Sequence, residues 1–258
     1  MIMIFGYPIW AVIVICVGVF LASFVDAIGG GGGIISLPTY LIAGMPMHFA
    51  LGTGKLASCL GTAASTFRYV KNKCVDWILA IPSIPLALIG SYFGTRLQLS
   101  LDERYLKYLL LIVLPIVAVF LFKEKNFSEE RGEIAVWKQR TIVWIASFIL
   151  GSYDGFYGPG SGTFMLLCFC KLAKMDLRSA SGNVKLVNFS SNVGALITSL
   201  FAGKVLFSIG LLAAVFSFAG HYIGAGLMIK NGTKIVRPII LLVLALLAVK
   251  LILEFIGI

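Results

Sequence analysis

Apolar residues run along this chain in blocks of two kinds. Six blocks are continuous and have about the 20 residues that a helix needs to cross a bilayer: 49–70, 77–96, 104–122, 178–201, 205–229 and 235–256. Two more regions are apolar but interrupted. Asp26 and the run Gly29-Gly30-Gly31-Gly32-Gly33 break up residues 8–44, leaving apolar arms at 8–25 and 30–44. The stretch Asp154-Gly155-Phe156-Tyr157-Gly158-Pro159-Gly160-Ser161-Gly162 breaks up residues 141–173 in the same way, between 141–152 and 162–173. Consecutive glycines cost a helix about 1 kcal/mol each relative to alanine. Each interrupted region therefore predicts a helical hairpin with a non-helical tip. One long polar stretch, 123–140, predicts a solvated connector between two halves, 1–122 and 141–258.

Composition places this pattern in a membrane. Of 258 residues, 59% are hydrophobic and 12% charged, against about 25% charged in soluble domains. The net charge of +10 does not point to nucleic acid, because the basic residues lie between apolar blocks rather than along one polar face; they read as topology signals. Five cysteines (Cys16, Cys59, Cys74, Cys168 and Cys170) have no paired spacing and predict neither a disulfide framework nor a metal site. No basic segment precedes the first apolar block, so that block reads as mature protein rather than as a cleaved leader.

The halves repeat. Gly52-Thr53-Gly54-Lys55 matches Gly182-Asn183-Val184-Lys185 at an offset of 130, which also places Gly90-Ser91-Tyr92-Phe93-Gly94 on Gly220-His221-Tyr222-Ile223-Gly224. Asp26 and Asp154 match at an offset of 128. If each interrupted region is a re-entrant hairpin, each half has three full spans and the halves are inverted. Fourteen of the 21 basic residues then fall on one side and five on the other, with Lys55 and Lys185 inside the membrane. Full crossings by the hairpins would divide the charges almost evenly. The positive-inside rule selects the re-entrant arrangement, with the connector cytoplasmic and both termini outside. The fold expected is an all-α membrane protein of two inverted repeats, whose tips enter from opposite faces and could meet near the midplane.

Broken helices in lipid must line a wet cavity or be covered by protein. Helices restarting after the tips would aim positive dipole ends at the membrane centre, which suits an anion. Gly30, Gly31, Gly32, Gly33, Gly160, Ser161 and Gly162 are therefore candidate substrate contacts; the alternative is that these glycines only allow tight packing. Lys55 and Lys185 lie about two turns into apolar helices, where a charge costs about 2.5–3.5 kcal/mol. They are candidate anion ligands, or structural partners of Asp26 and Asp154. Those two aspartates are the interior carboxylates and candidates for carrying a coupling proton. Thr53, Asn183, Asn188 and Asn192 complete the proposed lining, with Asn188 and Asn192 sharing a helical face with Lys185. Ser58, Thr62, Ser65 and Thr66 form the matching stripe of the first half. His221, opposite Ser91 in the repeat, reads first as a core histidine and second as a proton relay.

Taken in order, the Asp26–Gly33 break, Pro38, the Gly52–Lys55 motif, Gly90–Gly94 and their repeats after Asp154 resemble the TauE/SafE (TSUP) family over nearly the whole chain. The resemblance implies a plasma-membrane exporter of sulfite, thiosulfate or short organosulfonates such as sulfoacetate. The second break departs from the pattern through Pro159, which makes the two tips chemically unequal. The cysteines form no obvious relay, which favours sulfite or sulfonate over thiosulfate. The expectation is a secondary transporter of small anions, proton-coupled, in contact with lipid and free of cofactors; a homo-oligomer is compatible with it. A passive channel, or an uptake carrier for another oxyanion or carboxylate, is the alternative. With no nucleophile–base pair and no metal cluster, the chain does not read as an enzyme.

Overall fold

The computed structural model describes residues 3–106, 108, 132–232, 234–235 and 238. Most of the expected spans 104–122 and 235–256, and most of the connector, lie outside the described residues. A two-residue ribbon, β1 (Met3–Ile4) paired antiparallel with β2 (Tyr7–Pro8), leads into α1 (Ile9–Gly29). The first half continues with α2 (Gly33–Ile42), α3 (Met47–Lys71) and α4 (Trp77–Ser100). The second contains α5 (Val136–Phe156), α6 (Ser161–Leu167) running into a π-helical turn (Cys168–Leu172), α7 (Leu177–Phe201) and α8 (Phe207–Asn231).

The boundaries refine the reading of the sequence at two places. The breaks are shorter than the glycine runs suggest: Asp26 lies within α1, and Asp154 within α5, each in the last turns before its tip. At the other end, α5 starts at Val136 and not at 141. Its polar first turn looks like loop in the sequence, but Gln139 is buried there and its Nε2 donates to the Ala173 carbonyl at 2.7 Å. That bond ties the start of α5 to the end of the π turn.

The distribution of side chains suits lipid rather than water. On α1, Ile13, Val17 and Leu21 recur every four residues and are about half exposed. Ile78, Ile81 and Phe93 of α4, and Leu211, Val215 and Phe218 of α8, are exposed likewise. The polar side chains Ser83, Ser91, Thr62, Ser65, Asn183, Asn188, Ser191 and His221 are buried instead. In water this arrangement would expose large apolar faces; in a bilayer those faces meet hydrocarbon and the polar groups find partners inside. Among the described residues, three helices (α1, α4 and α8) are both long and apolar enough to cross a membrane by length and composition.

Packing couples the halves to each other. α1 lies along α8, α5 lies along α4, and α3 and α7 pack together between them. The repeated glycines make the close approaches. Gly220 and Gly224 bring α8 onto the α1 backbone at Phe20 and Phe24, while Gly90 and Gly94 bring α4 onto α5 at Phe148 and Ser152. Gly52 meets the Lys204 carbonyl and Gly182 the Cys74 carbonyl, at the same offset of 130. At these positions there is no room for a Cβ, so the motif glycines serve helix packing. Neither half buries its interior face without the other.

Candidate functional site

The two tips lie against each other. Gly30 lies against Gly162 and Thr163, and Gly33 lies against Gly158 and Pro159. Thr163 Oγ1 donates to the Gly29 carbonyl at 3.0 Å, joining the tips directly. Within the second tip, Tyr153 Oη donates to the Pro159 carbonyl at 2.7 Å. This bond holds the loop that separates α5 from α6.

Around the crossing, the four interior charges pair between halves. Lys55 Nζ of α3 donates to Asp154 Oδ2 at 2.8 Å and to Asn192 Oδ1 at 3.0 Å. Lys185 Nζ of α7 donates to Asp26 Oδ2 at 2.7 Å. Each lysine has thus passed over the aspartate of its own half for the one in the other. The carboxylates are further satisfied: Ser161 Oγ and Ser191 Oγ donate to Asp154, each at 2.6 Å, and the Gly32 amide donates to Asp26 Oδ1 at 3.1 Å. Buried ions are tolerated when the pair is close and its remaining lone pairs are bonded, and both pairs meet that condition.

The two pairs differ in access. A cavity of about 80 Å³ reaches Lys55, Asp154 and Asp26, and Asn188, Asn192, Gly32, Gly33 and Ser161 also line it. This is room for several waters or one small anion. Lys185 is 2% exposed and is not part of the wall; it lies sealed behind Asp26. Gly30 and Gly162 shape the crossing rather than the wall; Gly31 and Gly160, with φ +85° and +82°, lie at the tips and off the wall too. Two expected ligands are placed elsewhere. Thr53 Oγ1 accepts from the Leu206 amide at 3.0 Å, so its hydroxyl caps the start of α8. Asn183 turns its Nδ2 back to the Ser179 carbonyl at 2.8 Å, and it too lies off the cavity.

Some wall residues escape a reading by motif. Ser36 and Tyr40 of α2 join Gly33 and Leu37 on the cavity, an i, i+3, i+4, i+7 face that was available as a signal in the sequence. Tyr40 is buried and its hydroxyl has no hydrogen-bond partner; Asn188 Oδ1 is in the same condition. Unpaired buried polar atoms are costly, and both belong to residues of this wall. A further donor is available at Lys55, because two of its three N–H groups are used and the third has no protein partner among the described residues.

The sequence model of the family described as "Sulfite exporter TauE/SafE" matches residues 15–251. The chain belongs to the TauE/SafE family. Among its relatives, a protein from Sinorhizobium sp. named "Probable membrane transporter protein ORF9" is 34% identical over 235 residues, covering 91% of this chain and 90% of that one. "Probable membrane transporter protein" of Haemophilus influenzae is 33% identical over 249 residues, covering 93% of each. YfcA of Escherichia coli K12, which carries the same description, is 32% identical, covering 92% of this chain and 88% of the relative. No solved structure matches. Membership in TauE/SafE makes this a membrane transporter protein, in keeping with its apolar exterior.

One expectation concerns the wall alone. Tyr40→Phe should leave thermal stability unchanged or slightly raised, because the hydroxyl it removes bonds to nothing in the protein. An unpaired buried polar group costs about 1–3 kcal/mol, so the melting temperature of the variant should not fall. Melting curves in detergent read this; a clearly lower melting temperature would show that the hydroxyl has a partner.

Proposed function

We propose that this chain is a secondary transporter that exports small sulfur oxyanions, sulfite or a short organosulfonate such as sulfoacetate, across the cytoplasmic membrane. The observation that carries this reading is the pair of crossed Lys–Asp bridges at a buried cavity, with Lys55 holding one N–H in reserve. The four charges sum to zero, so the resting protein carries no net interior charge from them. An anion that enters needs a positive counterpart, and protonation of Asp154 or Asp26 supplies one by releasing its lysine. The start of α2 at Gly33, beside the cavity, adds a positive dipole end. The family description supports sulfite as cargo and export as direction.

The two halves act as inverted repeats in this proposal, and the basic loops lie in the cytoplasm. The cavity follows α3 from Lys55 back to Leu51 and Ala50, toward the end of α3 that faces outward in this topology. The arrangement described is then open to the outside at Lys55 and closed to the cytoplasm at Lys185. Exchange of the two pairs between accessible and sealed states is the transport step.

Sulfite efflux from proteoliposomes tests the reading. Lys55→Ala should lower the flux at least tenfold while the protein stays monodisperse, since Lys55 borders a cavity that water can fill. Wild-type flux in Lys55→Ala would remove this pair from the mechanism. Flux that is unaffected when the pH gradient is dissipated would favour passive conduction through the same site.

A further inference from the structure

The two hairpins close differently along their arms. The offset of 128 that sets Asp26 on Asp154 also sets Gly18 on Ala146 and Thr39 on Leu167. In the first hairpin a Cβ at Gly18 would run into the Thr39 side chain, so α1 and α2 touch there. In the second, among the described residues, Ala146 and Leu167 instead line a groove of about 640 Å³. Ile145 and Ile149 of α5 are also on its wall, as are Phe164 and Leu172 of the other arm. The arms meet at both ends of this opening. At one end Gln139 Nε2 donates to the Ala173 carbonyl; at the other the rings of Tyr153 and Phe164 pack edge to face, with 6.1 Å between centroids.

The groove is polar at one end only. Thr141 and Lys171 stand at the end near the Gln139–Ala173 bond, and the wall beyond them, out to Leu150 and Phe164, is apolar. From Thr141 to Leu150 the helix rises about 14 Å, close to one leaflet's share of a hydrocarbon core about 30 Å thick. Trp137, exposed one turn before Thr141, marks the depth of the interface. Lys138 and Lys174 are exposed, each next in sequence to a member of the Gln139–Ala173 bond. Of the nearby carboxylates, Asp176 accepts from the Ser179 amide and Glu133 lines a different pocket. An apolar groove left empty forfeits contacts along its whole wall, and basic pockets between helices at the cytoplasmic side hold anionic head groups.

We propose that this groove binds one anionic phospholipid of the cytoplasmic leaflet, with an acyl chain between α5 and α6 and the phosphate at Lys171. The proposal rests on the topology given above, in which this end of α5 is cytoplasmic, and not on the nature of the cargo. A chain in the groove braces α6 from the lipid side. That helix begins at Ser161, which donates to Asp154, and its Thr163 joins the two tips.

Native mass spectrometry of the full chain tests this, in mild detergent with equal amounts of phosphatidylglycerol and phosphatidylcholine. Wild type should retain one phosphatidylglycerol in preference to phosphatidylcholine. Lys171→Gln should lower that preference about fivefold. Lys71→Gln, on the same basic side but in the last turn of α3, should leave it unchanged. Equal losses in the two variants would mean a diffuse attraction to the basic face and would overturn the site. Ala146→Trp, which puts a ring into the groove, should retain no lipid. It should also lose the rise in melting temperature that phosphatidylglycerol gives wild type. If Ala146→Trp does not fold, the comparison of the two lysines still decides. A benzophenone amino acid in place of Ile149 should cross-link to lipid. Cross-links to residues 235–256 of the same chain, or to a second copy, would assign the groove to those instead and end the lipid proposal, whatever anion the protein moves.

Discussion

Lys185→Met should unfold much of the protein, or lower its melting temperature far more than Lys55→Met does. Lys185 is sealed, at 3% side-chain exposure, and its bond to Asp26 is short at 2.7 Å. Removing one member of a buried pair costs about 3–5 kcal/mol, because the other charge stays behind without its partner. His221 moderates the loss, since it still reaches Asp26 at 3.3 Å. Asp26→Asn should destabilise for the converse reason, leaving an ammonium in the interior with an amide in place of its carboxylate. The double variant Lys185→Met with Asp26→Asn removes both charges and should recover most of the lost stability while moving no anion. Melting curves in detergent for the four proteins give the coupling energy directly. Additive losses would show that the pair is not an interacting unit.

That crossed pairing could not be read from the chain. Asp26 and Lys55 are near neighbours in sequence, as are Asp154 and Lys185, and the residues alone left open which aspartate each lysine meets. The choice is made by tertiary packing: α3 and α7 lie together, so each delivers its lysine to the tip of the opposite half. By contrast, the breaks, the repeat and the interior charges were legible, because a polar residue or a glycine run in an apolar block has few structural uses in lipid. Thr53 misled for a related reason. A hydroxyl within the Gly-Thr-Gly-Lys motif looks like a ligand, yet its oxygen accepts from the amide of Leu206, the N-cap residue of the helix that starts at Phe207. Tyr40 was passed over because its block reads as a plain apolar arm, and only the helical spacing from Gly33 reveals the shared face.

The glycine motifs divide into two kinds once placed in space. Those in α4 and α8 are packing surfaces, where any side chain would push the halves apart. Those at the tips combine a backbone demand with a steric one. The crossing that leaves no room for side chains is also what brings Asp26 and Asp154 to one cavity.

Gly30→Ala separates these demands, and it should be among the most damaging substitutions at the tips. Gly30 has φ +77° and ψ −176°, a region open essentially to glycine alone, and strain of this kind costs about 1–3 kcal/mol. The added methyl would also run into the Thr163 amide and the Gly162 carbonyl carbon. Overpacking of this sort costs about another 1–3 kcal/mol, and here the obstacle is backbone, which cannot rotate away. Gly44→Ala is the control: its φ is +85°, but nothing lies within 4 Å of the new methyl, so it should lose only the backbone contribution, about 1–2 kcal/mol. Melting temperatures and sulfite efflux, measured side by side, distinguish the two. Gly30→Ala should melt lower and lose transport, because the displaced tip carries Gly32 away from Asp26 and opens the Thr163 link to Gly29. Equal behaviour of the two variants would mean that the tips do not constrain each other, and that the cavity between them is held open by something else.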